Sequence, residues 1–202
     1  GEGVLKTRRL GYDGKGQRVF RQAAGGRAQE GNATEGVFAA MGAVPLILEA
    51  LVPFEREISV IAARGSDGAI LAYDPAENVH RQGILHSSTV PASAAPETLA
   101  AARDAAAAIL EGLDYVGVIG VEFFVLDDGR VLVNEIAPRV HNSGHWTEAA
   151  CAVSQFEQHI RAIAGHVLGA PGRHSDFVME NLIVDDVARA PQLLAEKDVV
   201  LH

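Results

Sequence analysis

Val116-Gly117-Val118-Ile119-Gly120-Val121-Glu122-Phe123-Phe124-Val125-Leu126, then Asp127-Asp128-Gly129, then Arg130-Val131-Leu132-Val133-Asn134-Glu135-Ile136 is the stretch whose reading decides the fold. Two apolar, β-branched runs flank an Asp-Gly turn signal, so the segment reads as a β-hairpin. With Asp128-Gly129 as a two-residue turn, Leu126 pairs with Val131, Phe124 with Val133 and Glu122 with Glu135. Cross-strand partners place their Cβ atoms about 4.5–5.5 Å apart, where like charges repel. An unpaired carboxylate inside so apolar a run costs several kcal/mol, on the order of 3 or more. A shared proton, basic side chains or a divalent cation would offset that cost. Mg²⁺ favours one or two carboxylates together with phosphate oxygens and water. A hairpin end simply open to solvent, with both acids facing water, is the first alternative for this pair alone, and a dyad doing proton chemistry is another.

Outward from the hairpin, strands are expected at Val4–Arg8, Arg18–Phe20, Pro45–Glu49, Arg56–Ala63 and Ile70–Tyr73, with Asp67-Gly68 turning between the last two. Pro96-Glu97 opens a helix from Thr98 to Leu110, closed near Gly112. A second helix is expected from Thr147 to Ala164, closed by Gly165. Then come a strand from Phe177 to Val184, a short helix at Pro191–Ala195 and the apolar run Val199-Val200-Leu201. Residues 23–36 read as a surface connection. Strands and helices mixed with adjacent hairpins favour an α+β fold over a regularly alternating parallel sheet.

The 202 residues suffice for one large domain or two small ones. The net charge of −9 argues against a protein that coats nucleic acid. The charge is uneven. Residues 1–30 hold seven basic and three acidic side chains, leaving ten basic and 23 acidic in the remainder. The single cysteine, Cys151, forms no internal disulfide and fits a reducing compartment. No apolar run is long enough for a membrane span, so neither nucleic acid nor membrane is an expected partner.

Gly11-Tyr12-Asp13-Gly14-Lys15-Gly16-Gln17 places three glycines in six residues beside Lys6 and Lys15. Freed backbone N–H groups and lysines there can line an anion, although a flexible surface hairpin has the same composition. Gly16 follows Lys15 where a Walker A loop needs Ser or Thr, and no Gly-x-Gly-x-x-Gly opens a helix. His141 and His145 have the four-residue spacing of helical zinc ligands, but Asn142-Ser143-Gly144 between them favours a loop. No nucleophile elbow surrounds Ser143 or Ser154. Arg139, after Pro138, is suited to bidentate contact with bicarbonate or phosphate, or to neutralising Glu122 or Glu135.

Taken together, Lys6-Thr7-Arg8-Arg9-Leu10-Gly11-Tyr12-Asp13-Gly14-Lys15-Gly16-Gln17, Glu77-Asn78-Val79-His80-Arg81 and Asn134-Glu135-Ile136-Ala137-Pro138-Arg139-Val140-His141-Asn142-Ser143-Gly144-His145-Trp146-Thr147 closely resemble the 5-(carboxyamino)imidazole ribonucleotide synthases. These are ATP-grasp enzymes that form the ATPase subunit of phosphoribosylaminoimidazole carboxylase in purine biosynthesis. The resemblance runs over nearly the whole chain and is weakest at residues 22–44. It implies an ATP-grasp core of two α+β lobes with ATP between them, followed by the start of a small, β-rich C-terminal domain. The implied division is 1–52 for the lid lobe and hinge, 53–168 for the metal and catalytic lobe, and 169–202 for the start of the third part.

The implied chemistry is MgATP-driven carboxylation of aminoimidazole ribonucleotide by bicarbonate, through carboxyphosphate, in a cytoplasmic homodimer. Lys6 and Gly11, Tyr12, Asp13, Gly14, Lys15, Gly16 and Gln17 would then cover the ATP phosphates. Glu49, Ala50, Leu51 and Val52 would form the hinge that reads adenine. Glu57 would hold the ribose hydroxyls and His80 would contact the nucleotide. Glu122 and Glu135 would coordinate Mg²⁺, with Asn134 beside them. Tyr12, Asp13, Lys15 and Arg139 would face bicarbonate, the intermediate or the imidazole, and His141, Asn142 and Ser143 would line the substrate. Ala137 stands where many ATP-grasp relatives carry an Asn ligand, which throws coordination onto the two glutamates and water. The family's chain also extends beyond both ends of this one, so the 202 residues are expected to be the middle of a longer protein. Another ATP-grasp carboxylase or ligase with a different amine acceptor, or a nucleotide-binding fragment without turnover, remains open at this point.

Overall fold

The structure, a computed structural model, describes residues 2–9, 16–21 and 36–202. It separates into two compact units, one of residues 1–53 with 81–84, the other of residues 54–80 with 85–202. The first carries a three-stranded antiparallel sheet in the order β2-β1-β3, with β1 Gly3–Thr7, β2 Gln17–Phe20 and β3 Leu46–Ala50. Among the described residues it also holds a helical turn, α1 Val37–Ala40. Gly3 sits where a Cβ would meet the Glu49 carbonyl oxygen at 2.9 Å, so β1 and β3 approach more closely than a side chain allows. Gly16 enters β2 at φ +73°, in the left-handed region that favours glycine. Residues 11–15 and most of the expected 23–36 connection lie outside the described residues.

The second unit is built on a seven-stranded sheet. Its strands are β4 Arg56–Arg64, β5 Ile70–Ala72, β6 Ala76–Arg81, β7 Ile84–Val90, β8 Gly117–Val125, β9 Val131–Ala137 and β10 Phe177–Glu180. The order is β10-β7-β6-β4-β8-β9, with β5 also paired to β4. Residues 169–202 cluster with this unit, and β10 pairs with β7.

Strand alternation assigns the two faces. Ile58, Val60 and Ala62 of β4 share one face with Ile119, Val121, Phe123 and Val125 of β8. That face is covered by α2, Pro96–Gly112, through Ala102, Ala106 and Leu110 at four-residue spacing. Pro96 starts α2 where no N–H is needed, and the small alanines let the helix lie close on the sheet. Thr98 Oγ1 donates to Gly129 O at 2.9 Å and ties the helix to the β8–β9 turn. The opposite face is apolar at one end, where Ile61, Ala63, Ala76 and Val118 pack with Tyr73 and Trp146, whose rings meet edge-on at 6.3 Å. Its other end carries Glu57, Asn78 and Glu122.

Four readings of the sequence are corrected. The Phe177–Val184 strand stops at Glu180 and is followed by a 3-10 segment, Val184–Arg189, leading into α5 Ala190–Leu193. The Thr147–Ala164 helix is two, α3 Thr147–Ala150 and α4 Gln155–Ile163. Between them Cys151 is extended and bridges Arg173. Ser154 then caps α4, its side chain accepting from Glu157 N. Strands β6 and β7 were not expected from the sequence. They are joined by Gln82-Gly83, both at positive φ, as a two-residue type I′ hairpin requires.

The fourth correction concerns the hairpin register. The β8–β9 loop has three residues, with Leu126 N donating to Arg130 O at 2.9 Å and Gly129 at φ +80°. Val125 therefore faces Val131, Phe124 faces Leu132 and Phe123 faces Val133. A bulge at Asn134 then shifts the register by one and brings Glu122 opposite Glu135. The longer loop and the bulge offset each other, so the glutamates meet although the pairs nearer the turn differ from the two-residue expectation.

Candidate functional site

Four adjacent strands, β6, β4, β8 and β9, deliver the polar end of the second face. Glu57 lies opposite Asn78 on one side and Phe124 on the other, while Ser59 lies opposite Glu122. His80 Nδ1 and Glu57 Oε2 are 2.7 Å apart, so one of the two Glu57 oxygens is engaged by an imidazole. That bond chiefly raises the His80 pKa, against an opposing effect of burial. The Glu122 side chain is only 13% exposed. Its Oε1 lies 3.9 Å from His80 Nε2 and 3.7 Å from His141 Nε2, and its Oε2 accepts from Asn134 Nδ2 at 3.5 Å.

Burial is the main cause that raises the Glu122 pKa, with Glu135 and Glu57 adding to it and His80 and the Asn134 bond opposing. A buried carboxylate whose ionised form is this poorly compensated fits a hard cation, which takes oxygen ligands. Glu135 is exposed across the ladder and completes a two-carboxylate set. No group of three or more His, Cys, Asp or Glu among the described residues is arranged around a metal position. Two carboxylates leave the remaining positions to water and phosphate oxygens.

The segment after β9 brings His141 to Glu122. The His141 Nδ1 lies 2.9 Å from Ser143 Oγ, and burial, then Arg139, His80 and His145, lower its pKa to about 4. Ser143 is buried, whereas Asn142 is exposed and begins the 3-10 turn Asn142–Gly144. Arg139 is also exposed, donating Nη1 to Val140 O at 2.9 Å, and it pairs with neither glutamate among the described residues.

In the first unit Lys6 Nζ and Glu49 Oε2 form an ion pair at 2.6 Å. Gln17 is opposite Lys6 on β2, and its neighbour Gly16 accepts from Thr7 N at 2.8 Å. Ala50 closes β3, and Leu51 and Val52 follow, half-buried. Gly11, Tyr12, Asp13, Gly14 and Lys15 lie outside the described residues.

Sequence reasoning missed Ser59, Asn78 and Gln155. Ser59 Oγ and Asn78 Nδ2 are buried without a partner among the described residues, beside the glutamate cluster. The capping pattern Ser154-x-x-Glu157 was the signal that would have set Gln155 at a helix start.

Three comparisons bear on this arrangement. The family model described as ATP-grasp domain matches residues 2–156. The N5-carboxyaminoimidazole ribonucleotide synthase of Brucella melitensis biotype 1 is 61% identical over 202 residues, which are all of this chain and 54% of that protein. The chain thus spans about half the length of the curated relatives it matches. A crystal structure of an N5-carboxyaminoimidazole ribonucleotide synthetase in complex with ADP superposes with a TM-score of 0.86 at 41% identity, over 96% of this chain and 50% of that one. The Aspergillus clavatus synthase with ADP and 5-aminoimidazole ribonucleotide gives 0.80 at 28% identity, over the same shares. No helix among the described residues is long and apolar enough to cross a membrane.

Proposed function

The chain belongs to the ATP-grasp family, and from that premise we propose that it is the ATP-binding part of an enzyme that carboxylates 5-aminoimidazole ribonucleotide with ATP and bicarbonate. The observation that carries the reading is the Glu122–Glu135 pair, one carboxylate buried and one exposed, in a chain 61% identical to an N5-carboxyaminoimidazole ribonucleotide synthase. A bicarbonate oxygen attacks the γ-phosphorus and ADP leaves, giving carboxyphosphate. The exocyclic amine then forms the C–N bond, phosphate leaves and the amine loses a proton.

Phosphoryl transfer asks the protein mainly for positioning and charge neutralisation. Glu122 and Glu135 would hold Mg²⁺, with Asn134 beside them. When bound, the ion neutralises charge on the transferring phosphoryl group. Lys6 and the Gly11–Gln17 stretch engage the phosphates, and water must be kept from the hydrolysable intermediate. Glu49 to Val52 read adenine, Glu57 takes the ribose hydroxyls and His80 contacts the nucleotide. Tyr12, Asp13, Lys15 and Arg139 face bicarbonate and the imidazole, with His141, Asn142 and Ser143 lining the substrate. In this reading residues 1–52 act as lid lobe and hinge, 53–168 as the metal lobe, and 169–202 lead into a smaller β-rich part. The protein is taken as a cytoplasmic homodimer without nucleic-acid or membrane partners, and of these statements its net charge of −9 supports the absence of a nucleic-acid partner.

Glu135→Ala in the whole protein is expected to abolish bicarbonate-dependent ADP release, measured with aminoimidazole ribonucleotide in a coupled assay. Wild-type turnover by that variant would end the metal assignment. Equal turnover with other amine acceptors would replace the substrate assignment with a different ATP-grasp ligase.

A further inference from the structure

Gln155 is fully buried at the start of α4, and none of the roles above uses it. Its side-chain amide accepts from His141 N at 2.9 Å and donates to His141 O at 2.7 Å. A neighbouring strand makes the same two bonds to an extended residue, and His141 is extended at φ −125°, ψ 149°. Gln155 is itself anchored, because its N–H donates to Thr147 Oγ1 at 3.0 Å and that hydroxyl donates to Gly144 O at 2.6 Å. On the far side His141 rests on bare backbone, since a Cβ at Gly120 would come within 2.5 Å of the His141 Cβ.

The ring is fixed as well. Ser143 N donates to His141 Nδ1 at 3.4 Å, and Ser143 Oγ lies 2.9 Å from the same nitrogen. A ring nitrogen that accepts from a backbone N–H carries no proton, so in the neutral imidazole the hydrogen-bond network assigns the proton to Nε2. That nitrogen faces Glu122 Oε1 at 3.7 Å.

We propose that Gln155 is a positioning residue: it clamps His141 against Gly120 so that one Nε2–H tautomer faces Glu122 and holds that carboxylate in a single orientation for a divalent cation. The cation in this statement rests on the proposed function, whereas the clamp rests on the hydrogen bonds alone. Outer partners that orient a ligand are commonly worth about tenfold or more in metal affinity.

Two measurements on the whole protein test it. Imidazole ¹⁵N NMR follows the eight histidines, with His141 identified by its loss in His141→Gln. In the wild type His141 is expected as a single Nε2–H tautomer whose Nε2 signal moves in Glu122→Gln. In Gln155→Met that single tautomer is expected to give way to an average of two. Should Gln155→Met fail to fold by circular dichroism, Gln155→Glu carries the test, because it keeps the size and the acceptor but sets a second acceptor against the His141 carbonyl. Calorimetry with Mn²⁺ is expected to show about a tenfold weaker dissociation constant in the Gln155 variant. It should show no additional loss when that change is added to His141→Gln. An unchanged His141 signal in the folded variant, or Gln155 and His141 losses that simply add, would overturn the proposal. A wild type that binds no Mn²⁺ while its His141 tautomer still answers to Gln155 would instead overturn the proposed function and leave the clamp in place.

Discussion

His80 and His141 flank the same oxygen of Glu122, yet their proton affinities move in opposite directions. The bond to Glu57 lifts His80 above its ordinary value, while burial draws His141 down to about 4. Between pH 6.5 and 4 the unfolded chain takes up a proton at position 141 that the folded chain refuses, so acidification destabilises the fold through His141. The full shift corresponds to a loss on the order of 3 kcal/mol by pH 4. His80 acts at the other end, its contribution being full below pH 6.5 and lost as the pH rises through its elevated folded value. Thermal melts of wild type and His141→Gln from pH 4 to 7 should therefore diverge, with the variant losing less stability on acidification. Parallel curves would mean that His141 does not titrate as its surroundings dictate. At this scale the sequence disclosed the glutamate pair, because a short hairpin is a local object. It could not disclose the Glu57–His80 contact, 2.7 Å across 23 residues of chain, since that depends on two strands finding each other in a sheet.

The elements explain which readings survived. Strand β4 was legible from its alternation and β8 from a continuous apolar run ended by an Asp-Gly turn signal. Strand β6 was not, because its alternation is inverted: Asn78 is 5% exposed while its neighbour Val79 is 47% exposed. A strand whose inward face belongs to a polar site looks like a loop in hydrophobic terms. The helix read as continuous from Thr147 to Ala164 conceals two elements, because nothing in the hydrophobic spacing marks the extended residue at Cys151. Ser154 does mark it, through its cap on Glu157 N at 3.3 Å. Ser154→Ala is expected to cost about 1 kcal/mol, read as a lower urea midpoint with an unchanged slope. No change in midpoint would show that α4 is held entirely by its packing.

For the molecule as a whole, stability should concentrate where β4 and β8 pair over nine residues beneath α2. The amides of Val60, Ala62, Ile119 and Val121 are expected among the last to exchange with deuterium, and those of β10 and the 3-10 segment after it among the first. Leu110 is fully buried in this layer, and Leu110→Ala should cost about 2–5 kcal/mol in equilibrium unfolding. A loss below about 1 kcal/mol would mean that the layer closes over the missing atoms. The α+β class was readable at this scale because it depends on the kinds of elements present. The order β10-β7-β6-β4-β8-β9 was not, since it rests on long-range pairings that no local pattern encodes. The extra residue at Asn134 acts on β9 like an insertion in a reading frame. On the turn side of it the odd-numbered Val131 and Val133 share the core face, and beyond it the odd-numbered Glu135 and Ala137 share the face of Glu122. Two consecutive residues, Asn134 and Glu135, can thereby address one face, which a regular pleat forbids. A perfectly regular hairpin of this length would offer Glu122 the amide or the second carboxylate, and never both.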